Sequence, residues 1–165
     1  MSGILVGGIG NIFNGDDGFG VEVVQRLRAR PQGMPDGVTA VDFGIRGLDL
    51  VYALLDPHDA VVLVDAAPRG EPAGTVSVIQ VMAQDTAGRS FSPHALDPAA
   101  ALEMARSLGA GDTPVFVVAC EPLTLGNEEG AMGLSPPVAA AIEPAIVAVD
   151  DLVQRLRETA MARSV

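Results

Sequence analysis

Lysine is absent from this sequence. All ten of its basic residues are arginine, against 21 acidic residues, and the net charge is −11. A Schiff-base mechanism and a phosphate-binding P-loop both need a lysine, so both are excluded. An acidic chain is also poorly suited to binding a polyanion, because phosphate contacts dominate affinity for nucleic acids. We therefore expect no nucleic-acid partner.

Cysteine occurs once, at Cys120, so no disulfide can form within the chain. That is compatible with a reducing compartment. The first residues lack the basic segment and apolar stretch that are typical of a signal peptide. No run of apolar residues is long enough to span a membrane. Together these absences predict a cytoplasmic protein with no membrane partner.

Aromatic residues make up only 4% of the sequence and tryptophan is absent. The apolar content, 48% of all residues, is mostly valine, alanine and leucine. Continuous runs of such residues are typical of a parallel sheet that is buried on both faces. At 165 residues we expect a single domain over 1–165, with a frayed tail after about Met161.

Glycine, by contrast, is abundant at the start of the chain. Six glycines lie between positions 7 and 20, after the apolar run Ile4-Leu5-Val6 and before an amphipathic segment at 21–30. This order predicts a strand, a glycine-rich loop and a helix. In open α/β sheets such a loop lies at the carboxyl end of the strand, which is where ligands bind.

The remaining pattern alternates strands and helices, which predicts a three-layer α/β domain with right-handed crossovers. Residues 75–82 follow a loop without helical periodicity, so we expect an antiparallel edge strand there. Pro144 is expected to break or kink the last helical region, giving a short first piece and a long helix from about 144 to 160. The other predicted strands are 3–8, 38–43, 60–65 and 114–120, and the other predicted helices are 47–55 and 98–108. Asp97 is expected at the N-cap of the helix at 98–108, with Pro98 as its first residue.

Three acidic residues and one histidine are candidates for a shared site. Asp16 and Asp17 follow the first strand, Asp65 ends the third, and His94 lies between the edge strand and the next helix. Carboxylate and imidazole ligands suit a borderline divalent ion, and three protein ligands would leave room for an outside ligand. Each residue also has a structural interpretation, because Asp16 or Asp17 could cap the helix and Asp65 could cap a turn.

Two other kinds of site, for a nucleotide and for a cysteine nucleophile, have weaker support in the sequence. Gly8-Ile9-Gly10 lacks the third glycine of a dinucleotide-binding fingerprint, although Asp42 lies where a ribose-binding acid would be expected. A nucleotide- or small-molecule-binding module therefore stays open as an alternative. Cys120 has no base that can be placed beside it, and we interpret it as a packed thiol. The residues present assemble neither a serine nor a cysteine protease site.

Six short motifs occur along the chain in a defined order and spacing: Gly8-Ile9-Gly10-Asn11 with Asp16-Asp17-Gly18-Phe19-Gly20, Asp42-Phe43-Gly44-Ile45-Arg46-Gly47, Val64-Asp65-Ala66, Ser92-Pro93-His94, Cys120-Glu121-Pro122 and Leu134-Ser135-Pro136. Together they resemble the motifs of the hydrogenase maturation endopeptidases, which trim the C-terminal extension from the large subunit of nickel–iron hydrogenases.

The resemblance implies a twisted five-stranded sheet and an aspartic-type endopeptidase that acts on the nickel-loaded large-subunit precursor, and so activates the hydrogenase. It implies Asp17, Asp65 and His94 as metal ligands and catalytic residues. The metal would be nickel supplied by the precursor, with no nucleotide or flavin cofactor. The resemblance further implies that a second set of residues lies near the bound substrate: Gly10, Asn11, Asp42, Gly44 and Gly47.

The hydrolytic chemistry stays open at the level of sequence. A metal could polarise the scissile carbonyl, activate water, or only dock the substrate. Asp16 could act as a base or serve as a helix cap. A non-catalytic chaperone for the nickel site remains a further alternative.

Overall fold

The computed structural model describes residues 2–91, 96–125 and 132–165. Its strands are β1 (Ile4–Ile9), β2 (Val38–Gly44), β3 (Ala60–Ala66), β4 (Val76–Gln80) and β5 (Val115–Cys120). Its helices are α1 (Phe19–Ala29), α2 (Gly47–Leu55), α3 (Ala83–Thr86), α4 (Pro98–Ser107), α5 (Pro136–Ala139) and α6 (Ile142–Arg163), with a 3-10 turn at Gly15–Gly18.

The five strands form one sheet in the order β2-β1-β3-β5-β4. The first four are mutually parallel, and β4 runs antiparallel to β5 at the edge. Both features confirm the predicted fold class. The chain leaves β1 in one direction to form β2 and then crosses to the other side of β1 to form β3. The strand order therefore reverses between β1 and β3, and in open α/β sheets this reversal opens a crevice at the carboxyl edge.

Helices cover both faces of the sheet, as the sequence pattern predicts. On one face α1 and α6 pack against the strands, and Phe19, Leu27 and Val149 are fully buried there. On the other face α2 and α4 contribute Leu50 and Leu102 to a second core. Alternate side chains of β1 and β3 enter the two cores, so these central strands are apolar throughout. The domain is thus a three-layer α/β/α structure.

The last helical region is divided, as expected, into a short piece, α5, and a long helix, α6. The break lies at residues 140–141 and not at Pro144, because α6 begins at Ile142 and the proline lies in its first turn. An N–H group in a first turn has no partner within the helix, so its loss there costs little. The helix also continues past Met161 to Arg163, where a frayed tail is expected. None of the helices in the described part of the chain is both long and apolar enough to cross a membrane.

Candidate active site

A cavity of about 430 Å³ opens at the carboxyl edge of the sheet, beside β1 and β3. Asp17 and Asp65 both line it. The structure therefore brings together two of the three predicted metal ligands at the point where the strand order reverses. The other lining residues are Ile9, Gly10, Asn11, Asn14, Ile45, Ala66, Leu96 and Leu125.

Asp17 is oriented by the loop that precedes it. The backbone N–H of Asn11 donates to Oδ2 of Asp17 at 2.9 Å. The side chain of Asn11 in turn accepts from the N–H of Phe13 at 2.9 Å, which closes a local turn. Oδ2 thus holds the carboxylate in place, and Oδ1 accepts no hydrogen bond from the described part of the chain.

Two glycines allow the loop to reach this position. Gly10 has a φ of +135°, and a Cβ there would lie 1.7 Å from the carbonyl oxygen of Asp17. A Cβ on Gly20 would lie 2.0 Å from the carbonyl oxygen of Val64. Neither approach is possible with any larger residue. Gly10 packs the loop onto itself, and Gly20 brings the start of α1 against β3, next to Asp65.

Asp65 is the more buried carboxylate, with 8% of the residue exposed. Burial and then the negative charge of Asp17 raise the pKa of Asp65 well above its usual range, while a hydrogen bond from the N–H of Ala66 opposes this effect. None of the described residues that line the cavity is an arginine, and the sequence has no lysine. Two carboxylates that share a cavity without a compensating cation favour the binding of a cation there.

Asp16, directly before Asp17, has a different role. It is fully buried, and its Oδ2 accepts from the N–H of Leu123 at 2.8 Å and of Thr124 at 3.1 Å. Ser135 donates to it through its N–H at 2.7 Å and its hydroxyl at 2.8 Å. Burial alone would raise the pKa of Asp16, but these hydrogen bonds outweigh it and lower that pKa. The residue ties the glycine-rich loop to two later loops.

Neither Asp16 nor Asp17 caps a helix, so that interpretation is wrong for both residues. Neither the 3-10 turn nor α1 has a side-chain hydrogen bond at its N-cap, which is Asn14 for the turn and Gly18 for the helix. Ser135 does occupy the N-cap position of α5, but its hydroxyl binds Asp16 and not the helix. Asp97, by contrast, caps α4 as predicted, accepting from the N–H of Ala99 at 3.0 Å.

The residues expected near the substrate divide into two groups. Gly10 and Asn11 line the cavity, whereas Asp42, Gly44 and Gly47 do not. The carboxylate of Asp42 accepts from the side chain of Gln25 at 3.3 Å. The carbonyl of Gly44 accepts from the N–H of Gly10 at 2.9 Å, so this hydrogen bond connects the end of β2 to the start of the glycine-rich loop.

Gly47, the first residue of α2, packs against one aromatic and one aliphatic side chain. A Cβ on it would lie 3.1 Å from the ring of Phe91 and 3.4 Å from Leu96. Sequence reasoning missed Ile45 and Leu125, which line the cavity from the loops after β2 and β5. Ile45 directly follows β2, whereas Leu125 lies five positions after the end of β5, so only Ile45 had a signal in the sequence, namely an apolar residue at the end of a strand.

His94, the third predicted ligand, lies outside the described residues. Within 2–91, 96–125 and 132–165, no set of three histidine, cysteine, aspartate or glutamate residues is close enough to hold a metal ion. The ligand set Asp17, Asp65 and His94 therefore stays a prediction, of which the structure contains the two carboxylates in one cavity.

With this geometry in place, comparison with known proteins is informative. The family model of the HycI hydrogenase maturation proteases matches residues 21–151. The chain belongs to the hydrogenase maturation protease family. The match begins directly after the glycine-rich loop, so it covers Asp65 but not Asp17.

Individual relatives agree with this family. The chain is 33% identical over 160 residues to the hydrogenase 2 maturation protease of Escherichia coli, covering 94% of this chain and 92% of that protein. It is 34% identical over 145 residues to the hydrogenase expression/formation protein HupD of Bradyrhizobium diazoefficiens, covering 87% and 73%. The structure of the hydrogenase maturating endopeptidase HybD from Escherichia coli superposes with a TM-score of 0.74 at 29% identity, covering 95% and 93%.

The protein is accordingly an endopeptidase of hydrogenase maturation, and the comparisons do not favour a nucleotide-binding module or a non-catalytic chaperone. The protease does not use Cys120 as a nucleophile. That thiol is fully buried, and burial followed by the charges of Asp16 and Glu121 raises its pKa to about 11. The described histidine, His58, is bonded to the carbonyl of Ala53 at 2.7 Å. Cys120 is the packed thiol that the sequence predicts.

Proposed function

We propose that the protease removes the C-terminal extension of a nickel–iron hydrogenase large-subunit precursor after nickel insertion. In this proposal Asp17, Asp65 and His94 bind the nickel of the precursor, which is part of the substrate. The observation that carries the proposal is the cavity that Asp17 and Asp65 both line, with no arginine among the described residues around it.

The chemistry of this cavity supports a metal-bearing substrate. Carboxylate oxygens and an imidazole nitrogen suit a borderline divalent ion such as Ni²⁺. Burial, and then repulsion by Asp17, raise the pKa of Asp65, and a cation bound beside both carboxylates would offset that repulsion. Leu96, two positions after His94 in the chain, lines the same cavity.

In this proposal the site selects precursors that carry nickel. Asn11 holds one oxygen of Asp17 by a hydrogen bond, and the negative charge of this carboxylate lies at the cavity. A precursor that carries nickel gains an attraction there that a nickel-free precursor lacks. The peptide bond to be cut is thereby held beside the carboxylates only in the loaded precursor, which makes nickel a checkpoint. An aspartic-type hydrolysis, in which a site carboxylate assists water, is part of this proposal.

The test compares nickel-free and nickel-loaded precursor, with the products weighed by mass spectrometry. We expect only the loaded precursor to be shortened. Asp17→Asn, Asp65→Asn and His94→Ala are expected to slow processing at least about a hundredfold, because the loss of an outer-shell partner of a metal ligand alone costs up to about that much. Asp112→Asn, an exposed residue before β5 at the opposite edge of the sheet, is the matched control and should process normally.

Several results would contradict the proposal. Normal rates for the Asp17 and Asp65 variants would place the site elsewhere. Equal processing of nickel-free precursor would remove the checkpoint. Binding of the precursor without any shortening would instead favour a chaperone. The cytoplasmic location predicted from the sequence belongs to the same proposal, and cell fractionation tests it.

A further inference from the structure

A second cavity, of about 550 Å³, opens from the first. The two share Asp65, Ala66 and Leu96 as lining residues. The second cavity extends away from Asp65 over the sheet face that α4 covers, toward the edge strand β4. Because the cavities meet at a site carboxylate, a chain bound across Asp65 would have one flank in each.

The floor and wall of the second cavity are apolar. Ile79 of β4 and Val117 of β5 are paired across the two antiparallel strands, and both are part of the floor. Pro98 and Ala99, at the start of α4, form the wall. An extended peptide rises about 3.3 Å per residue, so three or four residues laid along this floor would span roughly 10–13 Å.

The two cavities differ in charge. The first has two carboxylates and no arginine, whereas Arg69 and Arg89 line the second. Arg89 is neutralised by Asp97, at 2.7 Å. Asp85 also lines the cavity, and its Oδ2 accepts from the N–H of Met82 at 2.7 Å.

Arg69 is the cation that remains. No ion pair in the described part of the chain includes it. Its backbone is held in place, because the carboxylate of Glu121 accepts from the N–H of Arg69 at 2.7 Å and of Gly70 at 3.3 Å. Glu121 itself is buried. The buried carboxylate of Glu121 thus fixes the backbone at Arg69 and Gly70, and the side chain of Arg69 lines the second cavity from this point.

We propose that the second cavity binds the segment that the protease releases, namely the first three or four residues after the cut bond. An apolar side chain in this segment packs on Ile79 and Val117, and an acidic side chain pairs with Arg69. This inference rests on the proposed function. The nickel-bearing flank needs the carboxylates of the first cavity, so the departing flank occupies the second. Arg69 has no counterpart among the described residues that line the first cavity, and this difference sets the direction in which the chain binds.

The experiment is a charge swap between enzyme and precursor. In nickel-loaded precursors, each of the first five residues after the cut bond is replaced in turn by Asp and by Lys, and kcat/KM is measured by mass spectrometry. At one of these positions we expect Asp to be cut faster than Lys by about tenfold, the scale of one favourable charged contact. Arg69→Glu should reverse that preference, and Arg69→Gln should abolish it.

The control is Arg155→Glu, an exposed residue of α6 that changes the net charge equally. It should keep the preference of the wild-type enzyme. A synthetic peptide of the first eight released residues provides a readout that does not depend on hydrolysis. It should bind the wild-type protein, and the Arg69→Glu variant should bind it at least about tenfold more weakly.

Two outcomes would overturn the inference in different ways. If Arg69→Glu and Arg155→Glu give the same Asp-to-Lys preferences, the released segment does not contact Arg69 although the protease cuts as proposed. If the wild-type protein cuts no nickel-loaded precursor at all, the proposed function fails, and this inference fails with it.

Discussion

Replacement of Asp16 by alanine should destabilise the protein without removing any group that touches the substrate. The carboxylate is fully buried and accepts hydrogen bonds from Leu123, Thr124 and Ser135. In the alanine variant, three backbone N–H groups and one hydroxyl lose their acceptor together. The loops after β5 and before α5 then lose their tie to the glycine-rich loop.

The size of the effect follows from these contacts. A buried donor left without a partner costs about 1–3 kcal/mol, and three backbone donors are affected. The loops can open and let water reach some of these donors, so we expect a total of about 3–5 kcal/mol. Each kcal/mol lowers Tm by roughly 2–4 °C for a domain of this size. The expected fall in Tm is therefore about 6–20 °C.

The assay is urea unfolding of the wild-type and variant proteins, analysed by linear extrapolation. Ser135→Ala is a graded control, since it removes the hydroxyl but keeps the backbone donor, and should cost about 1 kcal/mol. A loss below about 1 kcal/mol for Asp16→Ala would refute the structural role. If that variant were as stable as the wild type yet processed no precursor, Asp16 would instead act in the chemistry.

Three further predictions concern other parts of the molecule. Gly10→Ala should abolish processing, because its Cβ would meet the carbonyl of Asp17 at 1.7 Å, and nickel-loaded precursor measures this. Asp150→Asn should lower the unfolding free energy by about 1 kcal/mol, since both oxygens of this carboxylate accept from Arg30 at 2.9 Å. Cys120 should resist iodoacetamide at pH 8 until the protein unfolds. Because its folded pKa of about 11 lies above the usual value of about 8.5, this thiol should lower stability as pH rises between these values.

The fold was largely predictable from the sequence because its signals are local. The run Ala60 to Val64 is apolar and β-branched, which is typical of a strand buried on both faces, and it became the central strand β3. Asp97 followed by Pro98 predicted the start of α4 to the residue. The division of the last helical region near Pro144 was predictable, but its exact place was not, because a proline is also tolerated in the first turn of a helix and α6 begins two residues before it.

The candidate site was predictable only in part. Topology alone puts Asp17 and Asp65 at one sheet edge, because parallel strands present their carboxyl ends together. The division of labour between Asp16 and Asp17 could not be inferred, since the partners of Asp16 lie more than a hundred positions later in the chain. The position of Arg69 beside the second cavity could not be predicted for the same reason, because Glu121, which holds its backbone in place, is 52 positions away in the chain.

Adjacent acids can have such different roles because of the turn that carries them. Consecutive residues of a 3-10 helix point about 120° apart, given its three residues per turn. If Asp16 points into the protein, its neighbour must point elsewhere, and here Asp17 lines the cavity. The buried carboxylate fixes the turn through four hydrogen bonds, and the turn then fixes the direction of the second carboxylate. Of the two acids in this loop, one is therefore a structural group and the other lines the cavity, and exchanging their positions would require rebuilding the loops at 121–125 and 132–135.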